Sequence, residues 1–576
     1  MPTTPKSSHA ALASALLWLA LAGALPAQTS LADSEEQRRR AQAEAEERQR
    51  LQDAPTVHLQ APEAAGQTED GLTLPAEAPS FQIDRIRLET PAGLPAWVRA
   101  RGESLKPGAP FHFAHIYLGR YAGRRIGPEG LKLILRRLSH RILAQGYTTT
   151  RLELPEQDLA TGTLTLHLIP GVISAIRFAE PAPSGTWRNA FPARPGDLLN
   201  IRDLEQGLEQ MKRVPSQDVA IAISPGPQPG ESDVVLSVRR GKPWRLGLSL
   251  DDSGLPATGQ WQSGLNAAWD NPLGGSDLFQ LTWNHDVTRY RKGSGTRGGS
   301  LGYSVPLGYW SFAASYSQSH TEQRIAGFTR DFVSSGDSRN LELRVGYLFH
   351  RDQTRKDSLQ LRVGHRASRS FLDGTELDVQ RRNNSYLELA LLHSQSLGPA
   401  HLDLSLAHRR GVSWFGAQPD LAGGADGPTF YYRLNSLDAT LTVPLLGLRY
   451  TATLHGQHTR NQLFASEYLS LGNRWTVRGF DGDWSLAAEN GAYLRNDLEW
   501  PLGRAASLYL GIDAGRVYGP NPQPLPGRTL AGLALGLKGV AFKRVGFNVF
   551  LGGPLRQPTA FGNRWPVLGV SANLQF

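Results

Sequence analysis

The residue types that carry catalysis are present in this chain, but not at the spacings that catalysis needs. The 576 residues include no cysteine, which excludes thiolate nucleophiles, thiolate zinc sites and disulfide staples. The patterns GxxxxGK[ST] and HExxH do not occur. Gly293-Ser294-Gly295-Thr296-Arg297-Gly298 matches the glycine spacing of a dinucleotide site, but it falls in a predicted loop rather than on the strand-to-helix turn that phosphate binding requires. His112 and His115 lack further ligands at metal spacing and read as surface or packing residues. No cofactor, metal or nucleic-acid partner is expected, and the chain reads as a non-enzyme. What remains is ion-pair chemistry. Arg478 lies in a long loop over 464–490, stays charged, and offers a planar fork that can hold a carboxylate by two bonds. Gly479 beside it lets the loop tip turn tightly. In 491–500, Tyr493, Arg495, Asp497 and Glu499 alternate with Ala492, Leu494, Leu498 and Trp500, so one face of that strand is polar and charged.

The elements that position these residues repeat with period two from 243 to 576. Leu568, Val570, Ala572, Leu574 and Phe576 alternate with Gly569, Ser571, Asn573 and Gln575, and the stretches near 530–538 and 545–551 behave alike. About 16 such segments, roughly one per 21 residues, suit membrane strands of 9–11 residues plus connections. Short turns (270–275, 307–309, 445–447, 502–504) alternate with longer loops (287–297, 321–337, 416–428, 464–490), the outer-membrane pattern. The expected fold is therefore a transmembrane β-barrel of about 16 antiparallel strands. A basic side chain facing lipid at mid-depth costs roughly 2–4 kcal/mol, so the charged face of 491–500 must line a hydrated lumen. By the same parity Leu508, Leu510 and Ile512 face lipid, while Asp513 and Glu499 face inward. High glycine (61 residues) and modest hydrophobicity (40%) fit strands that are half polar; the net charge of +9 selects nothing.

Ahead of the barrel, Lys6 and His9 precede an apolar run over 10–25, so residues 1–27 read as a secretory signal peptide. Residues 28–53 are rich in Glu, Arg, Gln and Ala, strong helix formers with no apolar stripe, which fits a solvated helix, a charged tail, or a helix in a polar channel. Residues 54–79 read as a linker. Two α+β units follow, 80–171 and 172–242. The first places Leu131, Ile134, Leu135, Leu138 and Ile142 at helical spacing over 128–144, then strands near 148–154 and 162–169. The second repeats the order, with a strand over 172–178, a helix over 201–212, and strands over 218–224 and 233–239.

Gly146-Tyr147-Thr148-Thr149-Thr150-Arg151, Leu154-Pro155-Glu156-Gln157-Asp158-Leu159 and Gly162-Thr163-Leu164-Thr165-Leu166 resemble the first POTRA module of two-partner secretion transporters, the TpsB proteins of the FhaC and ShlB type. Leu204-Glu205-Gln206-Gly207-Leu208-Glu209-Gln210-Met211 with Val214-Pro215-Ser216 resembles the helix of their second POTRA module. Val477-Arg478-Gly479-Phe480 resembles the loop tetrad of the superfamily that also holds the BamA-type insertases, and Gly511-Ile512-Asp513-Ala514-Gly515 resembles its wall motif. The resemblance implies that the loop folds back into the barrel and that Arg478 pairs with Asp513 on the wall; by parity Glu499, on the preceding strand, faces the same way and offers a second partner. It implies that residues 28–53 are a plug-type helix and that Phe576 closes a barrel-assembly signal. The implied function is secretion across the outer membrane of a Gram-negative bacterium. Periplasmic POTRA modules would capture an unfolded, β-helical TpsA-type exoprotein, and the barrel would pass it without ATP. Outer-membrane lipid and the barrel assembly machinery would be its other partners. The alternatives are a BamA- or TamA-type insertase, which carries more POTRA modules, and a passive porin or receptor, which has no use for them.

Overall fold

The computed structural model of the chain describes residues 31–52, 55–57, 59, 72–182, 184–287, 293–420, 427–520 and 525–576. The expected signal peptide, residues 1–27, and most of the expected linker lie outside the described residues.

Helix α1 spans Leu31–Gln52, close to the expected bounds. In the first α+β module, Phe81–Ile83 pairs with Arg124–Ile126. A second sheet sets Arg85–Glu89 parallel to Thr163–Ile169, which runs antiparallel to Arg151–Glu153. Two helices pack here, α2 (His112–Gly119) and α3 (Pro128–Ala144). Proline suits the start of α3, where its missing N–H has no intrahelical partner to lose. Leu131, Ile134, Leu138 and Ile142 of α3 are buried against Leu164, Leu166 and Leu168, alternate residues of one strand face. The α2 helix has no sequence expectation because it is short and apolar on most sides, so no stripe stands out. In the second module, Val172–Phe178 lies parallel to Glu231–Arg240, which pairs with Gln217–Pro225. Helix α4 (Ile201–Lys212) covers this sheet, capped by Asn200, whose side chain accepts from the Arg202 N–H. Gly207 is required where α4 meets Phe191: a Cβ there would sit 2.3 Å from the ring.

Sixteen through-going antiparallel strands form a closed barrel, from Trp244–Asp251 to Val567–Gln575, and these two strands pair to shut it. Large apolar residues such as Leu281, Leu301, Leu343, Leu361, Leu391 and Leu535 are exposed on the outer face, as a band meant for lipid rather than water. Trp244, Trp269, Trp310 and Trp500 sit near the short-turn ends of their strands, where an aromatic girdle belongs. One expected loop is corrected. Most of 321–337 is strand, because Trp310–Ile325 and Phe332–Arg351 run to 16 and 20 residues and rise above the lipid band. The loop proper is 326–331. The loop after Leu448–Thr459 instead folds inward, and its Leu469–Leu471 and Leu486–Ala488 form a small hairpin of their own.

Candidate functional site

The inward loop meets the wall through one arginine. Arg478 Nε and Nη2 donate to Asp513 Oδ2 and Oδ1, each at 2.7 Å, a bidentate fork. The Arg478 backbone N–H adds a third bond to Asp513 Oδ2 at 3.0 Å. Nη1 donates to Asp497 Oδ1 at 2.6 Å. The Arg478 side chain is 4% exposed and that of Asp513 1%. Glycines make the approach possible. A Cβ on Gly511 would lie 2.4 Å from the guanidinium, and one on Gly532 would lie 1.8 Å from the Arg478 carbonyl. Gly479 has φ +92°, a left-handed value that suits glycine, and its Cβ position falls 2.3 Å from the Gly553 carbonyl. Gly515 is packed against Leu471, whose Cδ1 would lie 2.8 Å from a Cβ placed there. Val477 and Phe480 are buried in an apolar cluster with Leu471, Leu486 and Phe561, which carries the rest of the tip.

The structure does not bring Glu499 to Arg478. Strand register explains this: Asp497 lies across from Gly511 and Glu499 across from Tyr509, one pleat lower. Lys538 holds Glu499 instead.

The second occupant of the lumen is α1. At 22 residues it is about 33 Å long, close to the thickness of a bilayer core. Its polar circumference is matched by the wall. Arg40 donates to Gln457 Oε1 at 2.5 Å and Arg48 to Asp438 Oδ1 at 2.8 Å, Arg344 donates to Glu47 at 2.6 Å, and Ser338 donates to Glu36 at 3.2 Å. The inward loop also holds it: Gln37 Nε2 donates to the Ala465 carbonyl at 2.6 Å. Glu467 of that loop is a hub, reached by Arg366 at 2.6 Å, Arg409 at 3.2 Å and Arg40 at 3.4 Å.

Comparison with known proteins gives the family. The profile described as haemolysin secretion/activation protein ShlB/FhaC/HecB matches residues 230–539. The chain belongs to this ShlB/FhaC/HecB family. POTRA profiles match 172–225 and, in the ShlB-type form, 106–171. The outer membrane transporter CdiB-2 of Burkholderia pseudomallei (strain 1026b) is 42% identical over 511 residues, 87% of this chain and 88% of the relative. The hemolysin transporter protein HpmB of Proteus mirabilis is 30% identical, over 67% of this chain and 69% of that protein. Among solved structures, CdiB from Escherichia coli superposes with a TM-score of 0.83 at 25% identity, covering 96% of this chain and all of that one. This member of the ShlB/FhaC/HecB family is an outer-membrane translocator of two-partner secretion, with periplasmic POTRA modules and a transmembrane barrel.

The POTRA motif residues of this family member divide. Gly146, at φ +96°, sits at the joint between the modules, where its carbonyl accepts from the Ile201 N–H at 2.9 Å, and the Tyr147 ring packs on Phe111 at 4.9 Å within the first module. Arg151 stands apart, exposed on the edge strand Arg151–Glu153. The Phe576 N–H donates to the Leu246 carbonyl at 2.9 Å, beside the closing strand pair. The sequence reading missed three features. Asp497 stood in the inward-facing set, and its register opposite Gly511 was the signal that could have found it. Glu467 gave none. The junction of the second module with the barrel, where Arg351 bonds Glu209 at 2.8 Å and Arg213 bonds Ser304 at 2.6 Å, joins residues far apart in the chain.

Proposed function

We propose that the barrel is a secretion pore closed at rest by α1 and by the inward loop, with Arg478–Asp513 as the latch that fixes the loop to the wall. The observation that carries this reading is the double occupancy of the lumen, in which helix and loop are bonded to the wall and to each other through Gln37–Ala465 and Arg40–Glu467. An unfolded TpsA-type exoprotein binds the POTRA modules in the periplasm by strand addition at a free sheet edge, where main-chain bonds give affinity with little sequence demand. Candidate edges are Arg151–Glu153 and Gln217–Pro225. The exoprotein then passes in extended form, and folding outside the cell gives direction without nucleotide. The names of the relatives HpmB and ShlB, hemolysin transporter proteins, support a haemolysin-type client. Deleting residues 31–52 tests the plug: single-channel conductance in planar bilayers should rise several-fold. Conductance equal to the wild type at equal insertion would remove α1 from the reading. Co-expression with the exoprotein encoded beside this chain, with and without the chain, tests the client.

A further inference from the structure

Between α1 and the first module the chain crosses α4, and there its backbone is held as a bound peptide would be. The Val57 N–H donates to Glu209 Oε1 at 2.7 Å and the Leu59 N–H to Glu205 Oε1 at 2.9 Å, while the Val57 carbonyl accepts from Arg351 Nη2 at 2.9 Å. Residues two apart on an extended chain point their N–H groups the same way and repeat every 6.6 Å or so. Residues four apart on a helix share a face and repeat about every 6 Å. The two glutamates therefore form a ladder in step with any extended chain laid along α4. Val57 and Leu59 pack against the apolar core of the second module. Recognition thus uses main-chain atoms and two apolar side chains at i and i+2, and nothing in it is particular to the linker.

The ladder is built in place. The Glu205 side chain is fully buried and that of Arg351 is 2% exposed. Arg202 braces Glu205 at 3.0 Å, and Arg351 and Lys356 each reach Glu209 at 2.8 Å.

We propose that this clamp binds an extended segment of the secreted client carrying apolar residues two apart, and that the linker fills it at rest as an internal competitor whose displacement frees α1. The proposal rests on the reading of α1 as the resting plug. Tether length is the coupling. From Gln52 to Val57 there are five links, at most about 18 Å, so with the clamp filled the C-terminal end of α1 stays within that distance of Val57. The next anchor among the described residues is Leu72, whose carbonyl accepts from Arg124 at 2.6 Å. Twenty links separate it from Gln52, roughly 70 Å of reach and ample for a helix of about 33 Å to leave the lumen.

The test uses the purified full-length protein and a short acetylated peptide alternating Thr and Val. The double variant Val57→Pro/Leu59→Pro removes both linker N–H donors and leaves the clamp untouched. It should bind the peptide at least about tenfold more tightly than the wild type, since two bonds to carboxylates no longer compete. Its open fraction in planar bilayers should rise by a similar factor, and the peptide added on the periplasmic side should raise that of the wild type. A peptide alternating Thr and Asp should do neither. Equal peptide affinity in variant and wild type, equal binding of the Asp peptide, or an unchanged open fraction in the variant where deletion of residues 31–52 does raise conductance, would overturn the clamp. Failure of the plug reading is separable: deletion of residues 31–52 would then leave conductance unchanged, while the binding comparison still decides the clamp.

Discussion

Replacing Arg478 by alanine tests the latch most directly. The side chain makes two bonds to Asp513 and one to Asp497, and Asp513 is almost wholly buried. Truncation leaves that carboxylate with the backbone N–H of residue 478 among its partners. Removing one member of a buried pair costs about 3–5 kcal/mol, and the surviving bond places the expectation near the lower figure. At 1.4 kcal/mol per factor of ten, the undocked fraction of loop 464–490 rises about a hundredfold. The strand ladders do not use this side chain, so the barrel stays folded and keeps its unheated gel mobility. Undocking is read as proteinase cleavage within 464–490 on intact cells, and as a fall in exoprotein released to the medium. Asp513→Asn should give the same phenotype, and the double variant little more than either single one, because partners in one bond do not add. Glu499→Gln, which touches Lys538 instead, should leave cleavage and secretion at the wild-type level. If Arg478→Ala matches the wild type at equal protein level, or if the two single changes add, the latch reasoning is wrong.

Gly511→Val should reproduce the undocked loop without removing any charge, since its first added carbon would lie 2.4 Å from the Arg478 guanidinium; the same cleavage assay reads it, and an intact loop would show that the guanidinium can shift aside. The clamp gives a pH expectation. Burial pushes the Glu209 carboxyl up, but hydrogen bonds from Arg351 and the charge of Lys356 outweigh it and hold it below its ordinary 4.5. A depressed carboxylate stabilises fully above its unfolded value and loses that contribution as pH falls through the folded one. Hydrogen exchange of α4, corrected for intrinsic rates, should therefore be flat from pH 8 to 5 and accelerate only in stronger acid. Acceleration already near pH 6 would place the control on another group.

Much of this was legible in the residues, for physical reasons that also mark where legibility stopped. Strands between lipid and lumen must alternate, so the 16 strands and the inward aim of Asp513 follow from parity alone. Above the lipid both faces meet water and the alternation fades; the polar ends of Trp310–Ile325 and Phe332–Arg351 were therefore read as loop. Parity also fixes a face but not a height. Glu499 faces inward with Asp497, and only the register, which belongs to two strands at once, tells which one reaches Arg478. In the modules, α3 and α4 announced themselves by one apolar face each, whereas α2, apolar on most sides, did not. The clamp joins residues 57, 205, 209 and 351, and no local pattern links them.

The paired charges of the wall bear on what the bore can discriminate. Glu388 is held by Arg409 at 2.7 Å and Arg362 at 3.4 Å, and Glu342 by Arg344 at 2.8 Å, all partners on the wall itself. The helix carries six acidic and five basic residues, so its departure removes almost no net charge. These wall pairs do not depend on the helix and persist when it leaves. A passing segment of either sign trades one partner for another instead of sinking into a field, which makes the surface a low-friction bearing rather than a filter. Choice of cargo then falls to the periplasmic modules, and export should respond only weakly to ionic strength once a chain is engaged.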